Sequence, residues 1–150
     1  LKNHNNIFMK ELLTAVVTEI GAERTVVRFS EMKDDIPDFT WDNPEQTLAA
    51  YIHIFKDIGL TILHPSTNQF TKVFTNGMTF HQTVRKYWSG IIIGVGNLDT
   101  GSASAAVTEG TIDLAAIGRP LLANPDFIQR LQSGISMTPY KPALHLKHLI

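Results

Sequence analysis

Cysteine is absent from the chain. Disulfides and thiolate chemistry are therefore excluded, and the redox compartment is left open. Charge is scarce as well: 18% of residues are charged, and the formal net charge is −1. No basic excess points to nucleic acid, and no run of like charge reads as a tail. No apolar run reaches the roughly 18 residues that suggest a membrane span. The chain opens on Leu1 rather than methionine. Its start, LKNHNNIFMKELL, has neither a basic lead into an apolar segment nor a small-residue cleavage site, so it does not read as a signal peptide. A cytoplasmic soluble protein is the expectation. What is present is 150 residues, 43% of them hydrophobic. That is enough for one domain with a core and too few for two ordinary ones.

Apolar periodicity divides the chain into elements. Ile7 or Phe8, then Leu12, Leu13, Val16, Val17 and Ile20 recur at helical steps, predicting a helix over Asn5–Ile20 with one buried stripe. Asn3, Asn5 or Asn6 would cap it, and Gly21 would end it. Thr25–Phe29 is a β-branched run of strand length, followed by a long acidic loop, Ser30–Asn43, containing Pro37. Asn43-Pro44-Glu45 opens a second helix, with Leu48, Tyr51, Ile52 and Phe55 inward and Gly59 at its end. Leu60–His64 is a second strand stopped by Pro65, and Ser66–Gly77 is a polar loop. Met78–Trp88 is a third helix, Ile91–Val95 a third strand, and Gly101–Glu109 a weaker helix. Ile112–Ile117 is the fourth strand and Pro125–Gln132 the last full helix. The tail, Ile135–Ile150, combines Pro139 and Pro142 with a Leu/His alternation.

Strands separated by helices imply parallel pairing with right-handed crossovers, and near-continuous apolar strands imply burial on both faces. The fold class is therefore α/β with a parallel sheet. Two successive strands end in glycine turns, Gly94-Val95-Gly96-Asn97 and Gly118-Arg119. In such folds a phosphate is held by backbone N–H groups at glycines, by a helix N-terminus and by an arginine. Ile112–Phe127 is accordingly the candidate phosphate clamp.

At these turns the chain resembles the old yellow enzyme family of flavin-dependent oxidoreductases. The resemblance runs through nearly the whole chain. Leu1-Lys-Asn3 with Ile7-Phe8 looks like the end of the family's Gly-Gly-Ser-x-x-Asn-Arg stretch. Val27-Arg28-Phe29-Ser30 is similar to its strand-five Arg-x-Ser-Pro segment, with Glu31 where the family commonly has proline. Leu63-His64-Pro-Ser66 is similar to its strand-six end, and Ile93-Gly-Val-Gly-Asn97 to its strand-seven turn. Ile117-Gly-Arg119 with Ala123-Asn-Pro-Asp126 is similar to strand eight and the helix after it.

The resemblance implies half of a (β/α)8 TIM barrel, strands five to eight with their helices. Residues 1–150 would be a single C-terminal half-barrel, with the N-terminal half absent. It implies FMN as cofactor and NAD(P)H as reductant of the complete enzyme, an ene-reductase type that passes hydride through the flavin to an electron-poor small-molecule acceptor. Arg119 would then contact the FMN phosphate, with Gly118, Gly96 and Asn97 as backbone contacts, in keeping with phosphate sites after strands seven and eight of such barrels. Arg28 would lie beside the N1–C2 edge of the ring and stabilise negative charge there.

Each residue also has a plainer reading. Arg119 would pair with Asp126 or a helix carboxylate. The glycines and Asn97 would simply form turns. Arg28 would pair with an acidic loop residue such as Glu31. His64 at a strand end has either a catalytic or ring-contacting role or is a hydrogen-bonded structural residue. Trp41, Phe70 and Phe74 either cover the site or anchor loops. His53 and His81 read as exposed or packing residues, and His145 with His148 lacks a third metal ligand.

No residue takes a catalytic role. The family's substrate-activating His pair or His/Asn, and its proton-donating Tyr, belong to the strand-four region, which lies before Leu1. Little or no activity is expected of the isolated chain. The alternative is an incomplete half-barrel that binds FMN or another phosphorylated ligand, or serves only in assembly. The expected partner is the missing half-barrel or a second copy, since an opened barrel exposes two strand edges and an apolar layer.

Overall fold

The computed structural model describes residues 2–32 and 39–146, with the backbone alone for 2–5. The expected acidic loop containing Pro37, the contribution of Leu1, and the partner histidine His148 fall partly or wholly outside the described residues. The chain divides into two compact units, Leu1–Ala115 and Ala116–Ile150.

The first unit begins with helix α1, Lys2–Ile20, closed by Gly21 at φ 90°, whose N–H bonds Val17. The helix starts earlier than its asparagines suggested, so Asn3, Asn5 and Asn6 lie inside it rather than capping it. A single 3-10 turn, Ala22–Arg24, leads into strand β1, Val26–Ser30. Helix α2, Pro44–Asp57, buries Leu48, Ile52 and Phe55 as its spacing required. Strand β2 is Ile62–Ser66. It runs through Pro65 instead of stopping before it. The proline offers no N–H, but its carbonyl oxygen lies 3.0 Å from His81 Nε2.

The expected polar loop holds a small hairpin, β3 Val73–Thr75 and β4 Met78–Thr79, paired antiparallel. Its turn is Asn76-Gly77, with φ 50° and 76°. Two left-handed residues in succession suit a two-residue hairpin turn, and Asn-Gly is the sequence that tolerates them best. Helix α3, Phe80–Tyr87, therefore begins two residues later than Met78. Thr79 caps it in a reciprocal capping box with Gln82. Strand β5, Ile91–Gly94, is followed by helix α4, Thr100–Thr108, capped in the same way by Asp99 and Ser102. Strand β6 is only Leu114–Ala115, much shorter than Ile112–Ile117.

All pairings in the larger sheet are parallel, and the strand order is β1-β2-β5-β6. Chain order equals spatial order, as in one sector of a (β/α)8 barrel. Side chains alternate across this sheet. Val27, Phe29, Leu63, Pro65 and Ile92 share the helix-covered face. There Phe29 lies 5.4 Å from Phe55 and 5.8 Å from Phe80 between ring centroids. Val26, Arg28, Ile62, His64, Ile91, Ile93 and Leu114 lie on the opposite face by register. Val26, Ile91 and Leu114 are exposed there at 45%, 40% and 55%. In a closed barrel that face is interior. The α1 stripe is likewise less buried than its periodicity suggested: Ile7, Phe8, Leu12 and Ile20 are exposed.

The N-terminal ends of the strands are tied by Arg85 and Asp113. Arg85 donates to the carbonyls of Trp88 and Gly90 and pairs with Asp113, which accepts from the Ile92 N–H at 2.8 Å.

The second unit contains α5, Arg119–Ala123, α6, Phe127–Ser133, and α7, Pro142–His145. Asn124, fully buried, joins its parts: Nδ2 donates to the Pro120 and Thr138 carbonyls, and Oδ1 accepts from the Thr138 N–H at 2.8 Å.

Candidate functional site

Arg28 sits third in β1, on the sheet face away from the helices. Its register partner is His64, but its guanidinium leans further along, and Nη2 donates to Ser66 Oγ at 2.9 Å. Ser66 ends β2 and bridges to Val95, the residue before Gly96. The carboxyl ends of β1, β2 and β5 thus bring Arg28, Ser66, Val95 and Gly96 into one row. A cavity of about 230 Å³ opens here, lined by Arg28, Ser30, Met32, Ser66 and Asn68. Carboxyl ends of parallel strands are where barrels of this kind hold ligands.

The expected pairing of Arg28 with Glu31 is absent: among the described residues Arg28 makes no ion pair. Glu31 instead turns inward and is 8% exposed, with Oε2 lacking a hydrogen-bond partner. Burial pushes its carboxyl above the usual glutamate range, opposed by the Thr67 hydroxyl and by Lys72. His64 is half-buried, and its Nε2 also lacks a partner, so it is not the hydrogen-bonded structural residue of the plainer reading. Burial and the Arg28 charge both lower its pKa, which keeps the ring neutral at pH 7.

Gly96 and Asn97 form the turn after β5, at φ 152° and 56°. A Cβ on Gly96 would stand 2.7 Å from both the Phe70 amide nitrogen and Thr67 Cγ2, and the Gly96 carbonyl accepts from that amide at 2.8 Å. Its glycine character therefore has a packing cause, which is compatible with a backbone contact to a ligand. Asn97 is exposed.

Gly118 and Arg119 belong to the second unit, at the start of α5. Nothing lies within 4 Å of a Cβ built on Gly118. Arg119 is exposed and makes no ion pair among the described residues. The alternative pairing with Asp126 does not occur, because Asp126 is taken by Arg130 at 2.7 Å. The helix that follows has only five residues, with a proline near its start, so it adds little dipole of its own.

Two residues carry structure that the sequence did not assign. His81 is fully buried, stacked on Phe70 at 4.5 Å, and its Nε2 reaches both the Pro65 carbonyl and, at 3.3 Å, the Val95 amide nitrogen. Desolvation holds its pKa down at about 4, so the ring is neutral. In the Nε2–H tautomer Nε2 donates to the Pro65 carbonyl and does not accept from the Val95 N–H. Ser66 is the acceptor that holds Arg28. Trp41 and Phe74 anchor loops rather than covering the cavity: Trp41 makes edge contacts with Tyr51, Phe74 and Phe80. Phe70 packs on His81. His53 is exposed beside Asp57, and His145 Nδ1 accepts from the Lys141 N–H. A larger concavity, about 480 Å³, lies between the start of α1 and α2 around Asn6, Trp41, Gln46 and Tyr51, and none of Arg28, Gly96, Asn97, Gly118 and Arg119 lines it.

In the first unit, Arg28 has no carboxylate partner among the described residues, and Asn97 is exposed with a left-handed backbone. In the second, Arg119 likewise has none among the described residues, and the Gly118 backbone is open.

Residues 3–138 match the model of the NADH:flavin oxidoreductase / NADH oxidase family. A putative 12-oxophytodienoate reductase 3 of Oryza sativa subsp. japonica is 30% identical over 145 residues, covering 94% of this chain and 37% of the relative. The 12-oxophytodienoate reductase 1 of the same organism is 29% identical over 137 residues, covering 89% and 36%. The chain thus spans a little over a third of the length of these relatives. Among solved structures, morphinone reductase in complex with tetrahydroNAD superposes with a TM-score of 0.76 at 29% identity, over 92% of this chain and 36% of that one. An old yellow enzyme from Trypanosoma cruzi reaches 0.77 at 21% identity over 93% and 36%, which speaks for the fold alone. FMN and a nicotinamide reductant are the cofactors these comparisons indicate. No helix among the described residues is long and apolar enough to cross a membrane. With the family model covering most of its length, the chain belongs to the NADH:flavin oxidoreductase / NADH oxidase family, as a partial (β/α)8 barrel of old yellow enzyme type.

Proposed function

We propose that this chain is the FMN-gripping, C-terminal half-barrel of an NAD(P)H-dependent flavin oxidoreductase of the ene-reductase type. The observation that carries the reading is Arg28: a cation on the inner sheet face, leaning toward the strand ends, with a serine rather than a carboxylate as its partner among the described residues. FMN, when bound, supplies the hydride relay between NAD(P)H and an electron-poor acceptor.

The chain's own residues bind and orient. Arg119 holds the phosphate by charge and a forked donor set, and Gly118, Gly96 and Asn97 present backbone to it. Arg28 places positive charge beside the polar edge of the ring, where electron density accumulates on reduction. With His64 neutral, Arg28 is the cation of that part of the face among the described residues. No residue here donates a proton to substrate.

The exposed inner face and the part-exposed α1 stripe support a partner that completes the barrel, either the N-terminal half or a second copy. A cytoplasmic setting, where NAD(P)H is available, belongs to the same reading. The test is the colour of the purified chain together with NADPH oxidation. A flavin absorbance band with little or no turnover supports a binding half. A colourless chain that takes up no FMN on addition refutes it.

A further inference from the structure

We infer that Ser66 is a positioning residue for the flavin ring, acting through Arg28. The inference rests on the reading of Arg28 given above and assigns the group that makes it effective. A long arginine side chain on a half-open sheet face has many rotamers, and holding one costs entropy. Among the described residues, the Arg28 guanidinium is fixed by one directional contact, Nη2 to Ser66 Oγ at 2.9 Å. The contact spans two residues of register. Arg28 is level with His64, whereas Ser66 stands level with Ser30 at the strand tips. It therefore draws the charge toward the carboxyl ends, into the mouth of the cavity lined by both residues.

Three neighbouring groups leave this task to Ser66. Ser30, its register partner, already accepts from the Met32 N–H at 3.2 Å and closes its own turn. His64 lies beside Arg28, and its protonation is disfavoured by burial and by that arginine, so it does not push the guanidinium away. Glu31, the nearest acid in sequence, is turned into a separate cavity with Met32, Trp41 and Lys72 and does not compete for the guanidinium. Ser66 is itself held in place by its bridge to Val95 on β5. A hydroxyl acceptor leaves the full positive charge of Arg28 available, whereas a carboxylate would neutralise it.

The test uses the full chain and two readouts. In FMN titrations followed by flavin fluorescence, Arg28→Ala is expected to weaken binding by about tenfold or more. Ser66→Ala should weaken it by about three- to tenfold, and Ser66→Thr, which restores a hydroxyl, should stay near wild type. The double variant should bind no worse than Arg28→Ala, because Ser66 has no task once Arg28 is gone. In the unliganded chain, arginine side-chain NMR should show Arg28 ordered in the wild type and the Thr variant, and averaged in the Ala variant. If Arg28→Ala weakens binding but Ser66→Ala does not, or the two losses add, the role of Ser66 is overturned and that of Arg28 stands. If Arg28→Ala binds FMN like the wild type, or the wild-type chain binds none, both are overturned. An Arg28 signal equally ordered without the hydroxyl also overturns the role of Ser66.

Discussion

His81 Nε2 lies 3.0 Å from the carbonyl oxygen of Pro65, and this contact joins helix α3 to the middle of the parallel sheet. Pro65 cannot donate to its neighbour strands, and His81 satisfies the carbonyl at the same point. The ring is fully buried and its pKa is depressed to about 4. A histidine whose folded pKa lies below its unfolded value contributes stability that is fully present above the unfolded pKa and is lost as pH falls toward the folded one. Denaturant unfolding should therefore show stability falling between about pH 6.5 and 4, by at most about 3 kcal/mol from this group. A His81→Gln variant should be less stable at pH 7, and its pH profile should be flatter over that window.

Glu31 provides the opposite sign. Burial raises its pKa above 4.5, so its contribution is fully present below that value and is lost as pH rises through the folded pKa. Glu31→Gln keeps the shape without the charge. It should raise the melting temperature at neutral pH, and the difference should shrink as pH falls toward the ordinary glutamate range. A variant less stable than wild type at pH 7 would show that the carboxylate is satisfied after all.

The parallel α/β order was legible because the strands were short apolar runs, three of them bounded by glycine or proline, and the long helices repeated at their own period. The errors have local causes. Pro65 looked like a strand terminator, but the strand runs through it because Ser66 beyond it pairs with Ser30 and bridges to Val95, neighbours that no local pattern reveals. The β3–β4 hairpin was missed although Asn76-Gly77 announces such a turn, because the flanking runs Val73–Thr75 and Met78–Thr79 are very short. Strand β6 shrank because only Leu114 and Ala115 find a neighbour, on β5.

The placement of the candidate residues was legible in part. Arg28 stood out as a charge between apolar strand residues, and it lies in β1. Gly118-Arg119 read as a strand-ending turn, whereas β6 ends at Ala115 and Gly118 directly precedes α5. Ser66 was hidden. A serine at a strand end has no periodic signature, and its use depends on a neighbour 38 residues earlier in the chain. His81 was read only as one helical histidine among others, since its burial is set by Phe70 and Pro65, which reach it from outside the helix.

Asn124 should be the most sensitive position of the second unit. Its amide meets two carbonyls and one N–H while fully buried. Asn124→Ala leaves all three without that partner, at a cost of roughly 2–3 kcal/mol. Amide hydrogen exchange should show faster exchange at Thr138 and through α6. Unchanged protection of Thr138 would show that the asparagine is dispensable.

The open sheet face should govern solution behaviour. Val26, Ile91 and Leu114 are each at least 40% exposed on the inner face. The isolated chain is expected to elute on size exclusion above its 16.7 kDa, through self-association. Replacing Val26 and Leu114 with threonine should shift it toward the monomer. A monomeric wild-type chain with one cooperative melting transition would contradict the expectation.

The central claim is that this part of the barrel grips FMN by its phosphate. The most direct measurement is an FMN titration of the wild-type chain and of Arg119→Ala, followed by flavin fluorescence, with riboflavin as the control that lacks the phosphate. Saturable FMN binding that Arg119→Ala abolishes, together with much weaker riboflavin binding by the wild type, is the predicted result. Equal binding of FMN and riboflavin, or unchanged FMN affinity in Arg119→Ala, would contradict the phosphate grip.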